Sequence, residues 1–264
     1  MVDPATIDSA RVWPTYPQVL GIDFNDASHE EILAHAFPRF MPDYDYPESL
    51  EENEALTAFY TRNSQFSWLD ARALFVLLRL WRPRRLIEVG SGFSTLLTAD
   101  VNRRFLDNSM QMCCIEPYPR DFLHNELSSN LRLVEAKVQD VALAEFAALE
   151  AGDVLFIDSS HVSKTDSDVN FLYFEVLPRL ARGVRIHIHD IFLPEDYKRE
   201  WVLDENRSWN EQYLLRALLM NSTGWRVVFG CNYACLRLPD LLRTALAHPK
   251  GAIYGGGSFW IEKT

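Results

Sequence analysis

The stretch RLIEVGSGFSTLL, residues 85–97, decides the predicted fold. Its first half is a short, mainly apolar run that is typical of a buried β-strand, and Ser94 opens a segment with the character of a helix. Gly90 and Gly92 lie between the two, where the chain must turn sharply and a ligand must come close. A strand, a glycine-containing turn and a helix in succession predict one unit of a parallel α/β sheet.

The same alternation extends on both sides of this unit. A helix is predicted upstream, at residues 69–81. Further strands are predicted at residues 110–117, 131–138, 154–158 and 184–190, with helices between them at residues 120–127, 141–149 and 166–180. This alternation predicts a mostly parallel sheet with helices on both faces. After a long polar and aromatic loop, the pattern predicts a helix at residues 209–221 and closing strands, including an antiparallel pair, at residues 225–231, 233–238 and 257–263.

The first 64 residues differ from the rest of the chain. They are rich in Pro, Asp, Glu and aromatic residues and show weak periodicity, with short helices predicted at residues 29–37 and 51–63. We interpret residues 1–64 as an N-terminal cap segment that packs on one α/β domain formed by residues 65–264.

Charge and composition exclude several classes of partner. The formal net charge is −11, and a surface this acidic repels phosphate backbones, which argues against a nucleic acid substrate. No apolar run reaches the length of about eighteen residues that a membrane span requires. The first residues lack the basic and apolar regions of a secretory signal, so we expect a cytoplasmic protein. The sequence leaves a homo-oligomer open.

The cysteines favour neither a zinc site nor a disulfide framework. Cys113 and Cys114 lie in an apolar run, while Cys231 and Cys235 lack a CxxC spacing and a matching pair of histidines. We therefore expect all four to be reduced thiols, mostly within the core.

Polar side chains end the predicted strands that follow the glycine turn. Glu116 ends the second strand, where a carboxylate can accept both ribose hydroxyls of a nucleoside. Gln139 follows the third strand, where its amide can bind an adenine amino group. The alternatives are a turn without a ligand, a solvent-facing glutamate, or a dinucleotide fingerprint, although Thr95 occupies the place of that fingerprint's third glycine.

These residues resemble the class I S-adenosylmethionine (SAM)-dependent methyltransferase superfamily, and in particular the bacterial group called methyltransferase family 24. Glu88, Gly90 and Gly92 match the E/DxGxG core of its first motif, and Glu116 matches its ribose-binding acid. The resemblance covers about residues 69–192. It implies a Rossmann-like, seven-stranded, mostly parallel sheet with an antiparallel last strand, and SAM as the cofactor.

The resemblance also implies roles for individual residues of the turn. Gly90, Ser91 and Gly92 would lie under the methionine part of SAM. Glu88 would face the amino group of SAM, with Ser94 assisting. The NAD-type oxidoreductase remains an alternative, and the absent third glycine argues against it.

The ends of the fourth and fifth strands carry candidate catalytic residues. We expect Asp158, His161, His189 and Asp190 to converge over the position of the methyl group. His161 is the candidate general base, since an imidazole titrates near neutral pH and catechol-type relatives place a lysine base at this position. The alternative for His161 is a structural histidine, and His187 is expected to pack within the sheet.

A metal ion is a further candidate at this edge. In metal-dependent relatives, a strand-four acid and a strand-five pair of polar residues hold a divalent ion; Asp158 and Asp190 match two of these positions, whereas Ile191 replaces the third. Two carboxylates and a histidine could instead bind iron, manganese or zinc. Alternatively, Asp158 contacts SAM or a water molecule while Asp190 orients a histidine.

The leading functional hypothesis is O-methylation of a small molecule, such as a sugar, aryl or natural-product hydroxyl. The loop and helix after Asp190 fit such an acceptor, since aromatic and polar side chains recur there: Tyr197, Trp201, Arg207, Trp209, Asn210 and Tyr213. N- or C-methylation and a catalytically inactive SAM-binding scaffold are the alternatives.

Overall fold

Seven strands form one mixed sheet in the computed structural model, which describes residues 3–14, 17–50, 56, 58–125, 127–246 and 255–264. In chain order they are β1 Arg85–Val89, β2 Gln111–Ile115, β3 Leu131–Val134, β4 Val154–Ile157, β5 Arg185–Ile188, β6 Trp225–Gly230 and β7 Phe259–Lys263. The spatial order is β3-β2-β1-β4-β5-β7-β6. The first five strands are parallel, and β7 is antiparallel to both β5 and β6. The predicted fold class is therefore confirmed.

The order of the strands places a crevice above β1 and β4. From β1 the chain proceeds outward to β2 and β3, and then returns to add β4 on the other side of β1. Ligands of open α/β sheets bind where the strand order reverses, beyond the carboxyl ends of the strands. The glycine turn and Asp158 both lie at this point.

Helices cover both faces of the sheet. They are α1 Ser9–Val12, α2 Asp26–Glu31, α3 Phe37–Phe40, α4 Trp68–Trp81, α5 Phe93–Phe105, α6 Leu143–Ala147, α7 Asp168–Phe171, α8 Arg199–Leu203, α9 Glu211–Leu219, α10 Cys231–Arg237 and α11 Pro239–Ala245. The strands alternate between two hydrophobic cores: Leu86 packs with α4 and α5, whereas Ile87 faces the core on the opposite side of the sheet.

The N-terminal segment packs on the sheet domain. α2 and α3 are joined by a π-helical turn, Ile32–Ala36, and Leu33 and Phe37 are fully buried in the core that contains α4. His29 Nε2 accepts a hydrogen bond of 2.8 Å from the amide of Gly230. The boundary at residue 64 stays a prediction. The predicted helix at 51–63 falls partly outside the described residues, and residues 58–63 are not helical because Asn63 holds this turn through bonds to Tyr60 and Phe66.

The predicted strand at residues 233–238 is wrong, because this segment belongs to helix α10. β6 ends at Gly230, where a Cβ atom would lie 2.9 Å from the Phe259 ring. Apolar residues at positions 231, 234, 235 and 238 then follow a helical spacing, so the helix buries one face. The predicted helix at 120–127 is likewise reduced to one 3-10 turn, Asp121–His124.

The cysteines are free thiols, as the sequence predicts. All four cysteines are free, and three of them are buried. Among the described residues, no helix combines the length and the apolar character needed to cross a membrane.

Candidate active site

The glycine turn is shaped by its contact with β4. Gly90 has a φ of +81°, and a Cβ atom at this position would lie 1.8 Å from the carbonyl oxygen of Asp158. By contrast, a Cβ atom on Gly92 would meet nothing within 4 Å. The amide of Ser91 donates to Glu116 Oε2 at 3.2 Å, which ties the turn to the end of β2. The chain therefore needs Gly90 for the turn itself, whereas Gly92 leaves open space above the start of α5.

Glu88 lies beneath this turn. It is 1% exposed, and its two carboxylate oxygens accept hydrogen bonds from Ser94 Oγ at 2.5 Å and Thr95 Oγ1 at 2.7 Å. Thr95 Oγ1 also accepts from the amide of Gly92 at 3.0 Å. Glu88 and Ser94 thus support the turn from within, which differs from the expected direct contact with SAM. Thr95 occupies the position of the third glycine of a dinucleotide fingerprint. Here its hydroxyl links the turn to the buried carboxylate of Glu88.

Burial raises the pKa of Glu88 to about 7, against hydrogen bonds from Ser94 and Thr95 that favour the ionised form. The native state therefore binds this proton more tightly than the unfolded chain, whose carboxyl has the ordinary value of 4.5. The resulting stabilisation is complete below the unfolded pKa and is lost as the pH rises through the folded pKa.

Glu88→Gln is therefore expected to be more stable than the wild type at alkaline pH. Because glutamine carries no charge, its advantage should grow by on the order of 2 kcal/mol between about pH 5 and about pH 8. Urea unfolding at several pH values measures this difference, with the exposed Glu135→Gln as the control. A difference between Glu88→Gln and wild type that does not change with pH would contradict the assignment.

A cleft of about 540 Å³ lies beyond the carboxyl ends of β1, β2 and β4. Gly90, Glu116, Gln139 and Asp158 line it, as expected from the sequence. Glu116 Oε1 accepts from the amide of Tyr118 at 2.9 Å, and Gln139 Nε2 donates to a backbone carbonyl at 2.9 Å. Glu116 and Gln139, which are predicted to bind the ribose and the adenine, thus line the same cleft.

The candidate catalytic residues converge as predicted. His161 Nε2 lies 3.3 Å from Asp158 Oδ1 and 3.5 Å from Asp190 Oδ2. His189 Nδ1 approaches the same two oxygens, at 3.4 Å and 3.6 Å. Two imidazoles therefore face two carboxylates at the ends of β4 and β5.

Two further acids hold the histidines from behind. His161 Nδ1 donates to Glu211 Oε2 at 2.9 Å, and His189 Nε2 lies 3.4 Å from Asp70 Oδ2. Glu211 is fully buried and Asp70 is 7% exposed. The sequence analysis missed both residues. The available signal for Asp70 was its position as an acid within an apolar helical run. We call the six residues the acid–histidine cluster: Asp70, Asp158, His161, His189, Asp190 and Glu211.

The cluster carries more acids than bases. Burial alone would lower the pKa of His161, but hydrogen bonds to Asp158 and Glu211 outweigh it and raise the pKa to about 10. Burial opposes ionisation of Asp158 too, yet the neighbouring rings of His189 and His161 hold its pKa well below the ordinary value. With both rings protonated and all four acids ionised, negative charge remains in excess.

A glycine segment of the C-terminal region closes around the cluster. The amides of Gly257 and Ser258 donate to Asp70 at 3.0 Å and 2.7 Å. A Cβ atom on Gly256 would lie 2.1 Å from Asp70 Oδ1, and one on Gly257 would lie 2.7 Å from Asp190 Cα. Asp190 has a φ of +55°, in the left-handed region that aspartate adopts more readily than most residues other than glycine.

A second cavity, of about 500 Å³, opens on the other side of Asp158. Its lining includes Asp70, Asp158, His189 and Asp190, together with a mainly aromatic and cationic set, Trp68, Lys198, Trp201, Arg207 and Trp209. The Arg207 guanidinium lies 4.2 Å from the centre of the Trp201 ring and 4.7 Å from that of Trp209. Asp158 is thus shared by both cavities.

Three of the expected acceptor residues have structural roles instead. Tyr197 is 2% exposed and its hydroxyl accepts from the amide of Gln212. Tyr213 bonds Asp196 at the surface, and Asn210 Oδ1 accepts from the amide of Ser163. These residues fix the loop that presents the tryptophans.

His187 and Ile191 belong to the interior. The His187 ring stacks on Phe156 at 3.8 Å, and its Nε2 lies 2.8 Å from Ser258 Oγ, in agreement with the expected packing role. Ile191 is 1% exposed in the hydrophobic core, so the third position of the metal site of metal-dependent relatives offers no ligand here.

Comparison with known proteins agrees with this geometry. The family model for a methyltransferase domain matches residues 87–191, from the middle of β1 past the end of β5. A protein of uncharacterised function from Archaeoglobus fulgidus is 38% identical over 157 residues, which span 57% of this chain and 69% of the relative. Residues 87–191 therefore form a SAM-dependent methyltransferase domain. The matched region contains the glycine turn and four of the six residues of the acid–histidine cluster, whereas Asp70 and Glu211 lie outside it.

Solved structures of other methyltransferases are more distant. The O-methyltransferase TomG from Streptomyces achromogenes, involved in tomaymycin synthesis and solved with SAM, is 14% identical, with 89% of each chain covered and a TM-score of 0.43. The 16S rRNA (adenine(1408)-N(1))-methyltransferase from Catenulisporales acidiphilia is 13% identical, with 83% of this chain and 97% of that chain covered and a TM-score of 0.34. Likeness at this level carries no argument about the acceptor.

Proposed function

We propose that this methyltransferase transfers the methyl group of SAM to a hydroxyl group of a small organic acceptor. One observation carries the proposal: Asp158 lines both the cleft of about 540 Å³ beside the glycine turn and the cavity of about 500 Å³ beside the tryptophans. A donor in the first and an acceptor in the second would meet at this side chain. Such proximity and alignment supply much of the rate enhancement in a bimolecular displacement.

The first cleft suits the donor. When bound, SAM supplies an electrophilic methyl group on a sulfonium ion. Glu116 offers a carboxylate for the ribose hydroxyls, and Gln139 offers an amide for the adenine. Ser159 Oγ is buried in this cleft and has no hydrogen-bond partner among the described residues, so it is available to a ligand. We assign Gly92 and Ser91 to the methionine end, with Glu88 and Ser94 supporting them from below.

The second cavity suits a small acceptor with a flat apolar body. Trp201 and Trp209 provide the aromatic surface, and their rings lie 5.1 Å apart. Asp158 and Asp190 line the same cavity, and their carboxylates can accept a hydrogen bond from an acceptor hydroxyl. Acidic groups in the cavity and a net charge of −11 both disfavour a nucleic acid.

We assign the removal of the acceptor proton to His161. Its Nδ1 is bonded to Glu211, so its Nε2 is the nitrogen that faces Asp158 and Asp190. With a pKa of about 10 the ring holds a proton in the free site, so it accepts the proton of the hydroxyl only after it has released its own to solvent. His189 and Asp190 complete the proposed catalytic group. The His189 ring fixes the carboxylates of Asp158 and Asp190 relative to each other, and these carboxylates position the hydroxyl.

The site also fits a divalent ion. Asp158, His189 and Asp190 each offer one ligand atom, and these atoms lie within 4.8 Å of one another. An ion held there would supply positive charge that lowers the pKa of a bound hydroxyl.

N- or C-methylation would use the same donor cleft, and identification of the methylated atom in the product separates these reactions from O-methylation. An inactive scaffold is disfavoured, because it would have no use for a buried cluster of six ionisable groups at the junction of two cavities.

Glu116→Ala is expected to weaken the binding of S-adenosylhomocysteine (SAH), the demethylated cofactor, by about 10- to 100-fold. The reason is the loss of charge-assisted hydrogen bonds to the ribose, each worth about 1.5–3 kcal/mol. Calorimetric titration measures the affinity, with the exposed Glu135→Ala as a control at the end of β3. If folded wild-type protein bound no SAH, the proposed function would fall.

A further inference from the structure

We propose that the acceptor is an aromatic hydroxy acid, and that the Lys198 ammonium binds its carboxylate. The inference rests on the proposed function and names the chemical class of its acceptor. It concerns a part of the acceptor cavity to which the transfer of the methyl group assigns no role. Binding of such an acid can be measured without turnover.

Two cations line the acceptor cavity, although the protein is acidic overall. Lys198 and Arg207 share this lining with three tryptophans and three carboxylates of the acid–histidine cluster. The carboxylates of the cluster pair with His161 and His189. Within the described part of the chain, none of them pairs with Lys198 or Arg207. The cavity therefore offers acidic and cationic groups that do not neutralise each other.

The Lys198 ammonium is held against aromatic rings. Its Nζ lies 4.5 Å from the centre of the Trp201 ring and 5.0 Å from that of Phe192. Attraction between a cation and the face of a ring favours this position over free solvent. Among the described residues, the ammonium has no carboxylate partner. A positive charge is thus placed at the cavity and is available to an anionic ligand.

Arg207 has a different role. Its Nε and one terminal nitrogen both bond Glu205 Oε2 at 2.6 Å, so its charge already has a partner. Its guanidinium packs on the rings of Trp201 and Trp209. We therefore assign the carboxylate of the acceptor to Lys198, and the support of the two tryptophans to Arg207.

A series of ring contacts connects the candidate base to this cation. The centre of the His161 ring lies 4.5 Å from that of Trp209, and the Trp209 ring lies 5.1 Å from Trp201, which carries the Lys198 ammonium. A flat molecule on the two tryptophans can therefore reach His161 with one substituent and Lys198 with another. The carboxylates of the cluster repel an anion, so the carboxylate of the acceptor turns to Lys198 and its hydroxyl to His161.

Trp68 adds a third aromatic surface to the cavity. It is the first residue of α4 and is 44% exposed, with a φ of +50°. A bulky side chain rarely adopts this backbone conformation, and such strain persists only where the surrounding structure imposes it. An indole held at the cavity at this cost supports an aromatic body for the acceptor.

Calorimetry with matched ligands tests the inference. Full-length protein saturated with SAH is titrated with 3,4-dihydroxycinnamate and 4-hydroxybenzoate, and then with the primary amide of each, which keeps the shape and the hydroxyl groups but carries no charge. We expect the acids to bind about 5- to 20-fold more tightly than their amides, a moderate preference because Lys198 is exposed. Absence of binding by both acids, or amides that bind as tightly as the acids, would overturn the proposal.

A pair of variants assigns the preference to one side chain. Lys198→Met keeps the apolar stem on Trp201 but removes the charge, so it should weaken acid binding by about 5- to 20-fold and change amide binding by less than about twofold. Arg199→Gln removes the next cation along the chain, which is exposed and does not line the cavity, and should change neither affinity. A Lys198→Met protein that keeps the wild-type preference for the acids contradicts the assignment.

Titrations with SAH alone and with the acids alone distinguish this inference from the proposed function. Protein that binds SAH and methylates the neutral amides in preference to the acids refutes the aromatic acid alone. Protein that binds the acids through Lys198 but does not bind SAH refutes the proposed function and leaves the anion-binding role of Lys198 standing.

Discussion

His161→Ala is expected to reduce kcat by about 10²- to 10⁴-fold, the usual contribution of a general base. Its affinity for SAH should stay within about twofold of the wild-type value, because the ring lies behind Asp158 and does not line the donor cleft. Steady-state kinetics with an accepted substrate and calorimetry with SAH measure the two quantities. The expected pattern is a fall in kcat with little change in KM.

Two further variants test this assignment. Glu211→Gln keeps a hydrogen-bond acceptor for His161 Nδ1 but removes a charge, so it should lower kcat less than His161→Ala does. His124→Ala changes an exposed histidine and should leave kcat unchanged. Wild-type turnover in His161→Ala would remove His161 from the mechanism and leave the donor cleft unaffected.

Gly90→Ala is expected to destabilise the protein strongly, whereas Gly92→Ala should leave its stability almost unchanged. At Gly90 the new methyl group would lie 1.8 Å from a backbone oxygen of Asp158, and the φ of +81° is strained for alanine. We expect a loss of stability of roughly 3 kcal/mol or more. At Gly92 the methyl group meets nothing within 4 Å, so stability should change by less than about 1 kcal/mol.

SAH binding completes the comparison of the two glycines. The open space above Gly92 is where we place the methionine end of the cofactor, so Gly92→Ala should weaken SAH binding although the protein stays folded. Urea unfolding and calorimetry measure the two effects. A Gly92→Ala protein with wild-type affinity would show that the cofactor does not approach this residue.

The sequence predicted the sheet well because local patterns determined it. A short apolar run marked each of the seven strands, and the glycine turn followed the first of them. The strand predicted at residues 233–238 failed because a short apolar run does not distinguish a strand from a buried helix face. Its spacing at positions 231, 234, 235 and 238 was the helical indication.

The site was predictable where residues stand at strand ends. Asp158, His161, His189 and Asp190 follow strands of one parallel sheet, so topology alone brings them together. Asp70 and Glu211 come from helices far away in sequence, and only the tertiary fold places them behind the histidines. The sequence could not show that Glu88 is buried beneath the turn, because a strand residue next to the turn can face either the cleft or the interior.

Asp158 belongs to the walls of two cavities, and this has a thermodynamic consequence. A positively charged ligand bound in one cavity changes the environment of the Asp158 carboxylate, which also lines the other cavity. The two binding free energies are then not independent, and whatever one ligand does to the affinity of the second, the second must do to the first. Cooperative binding of the two ligands would follow from a single shared carboxylate, without any movement of domains.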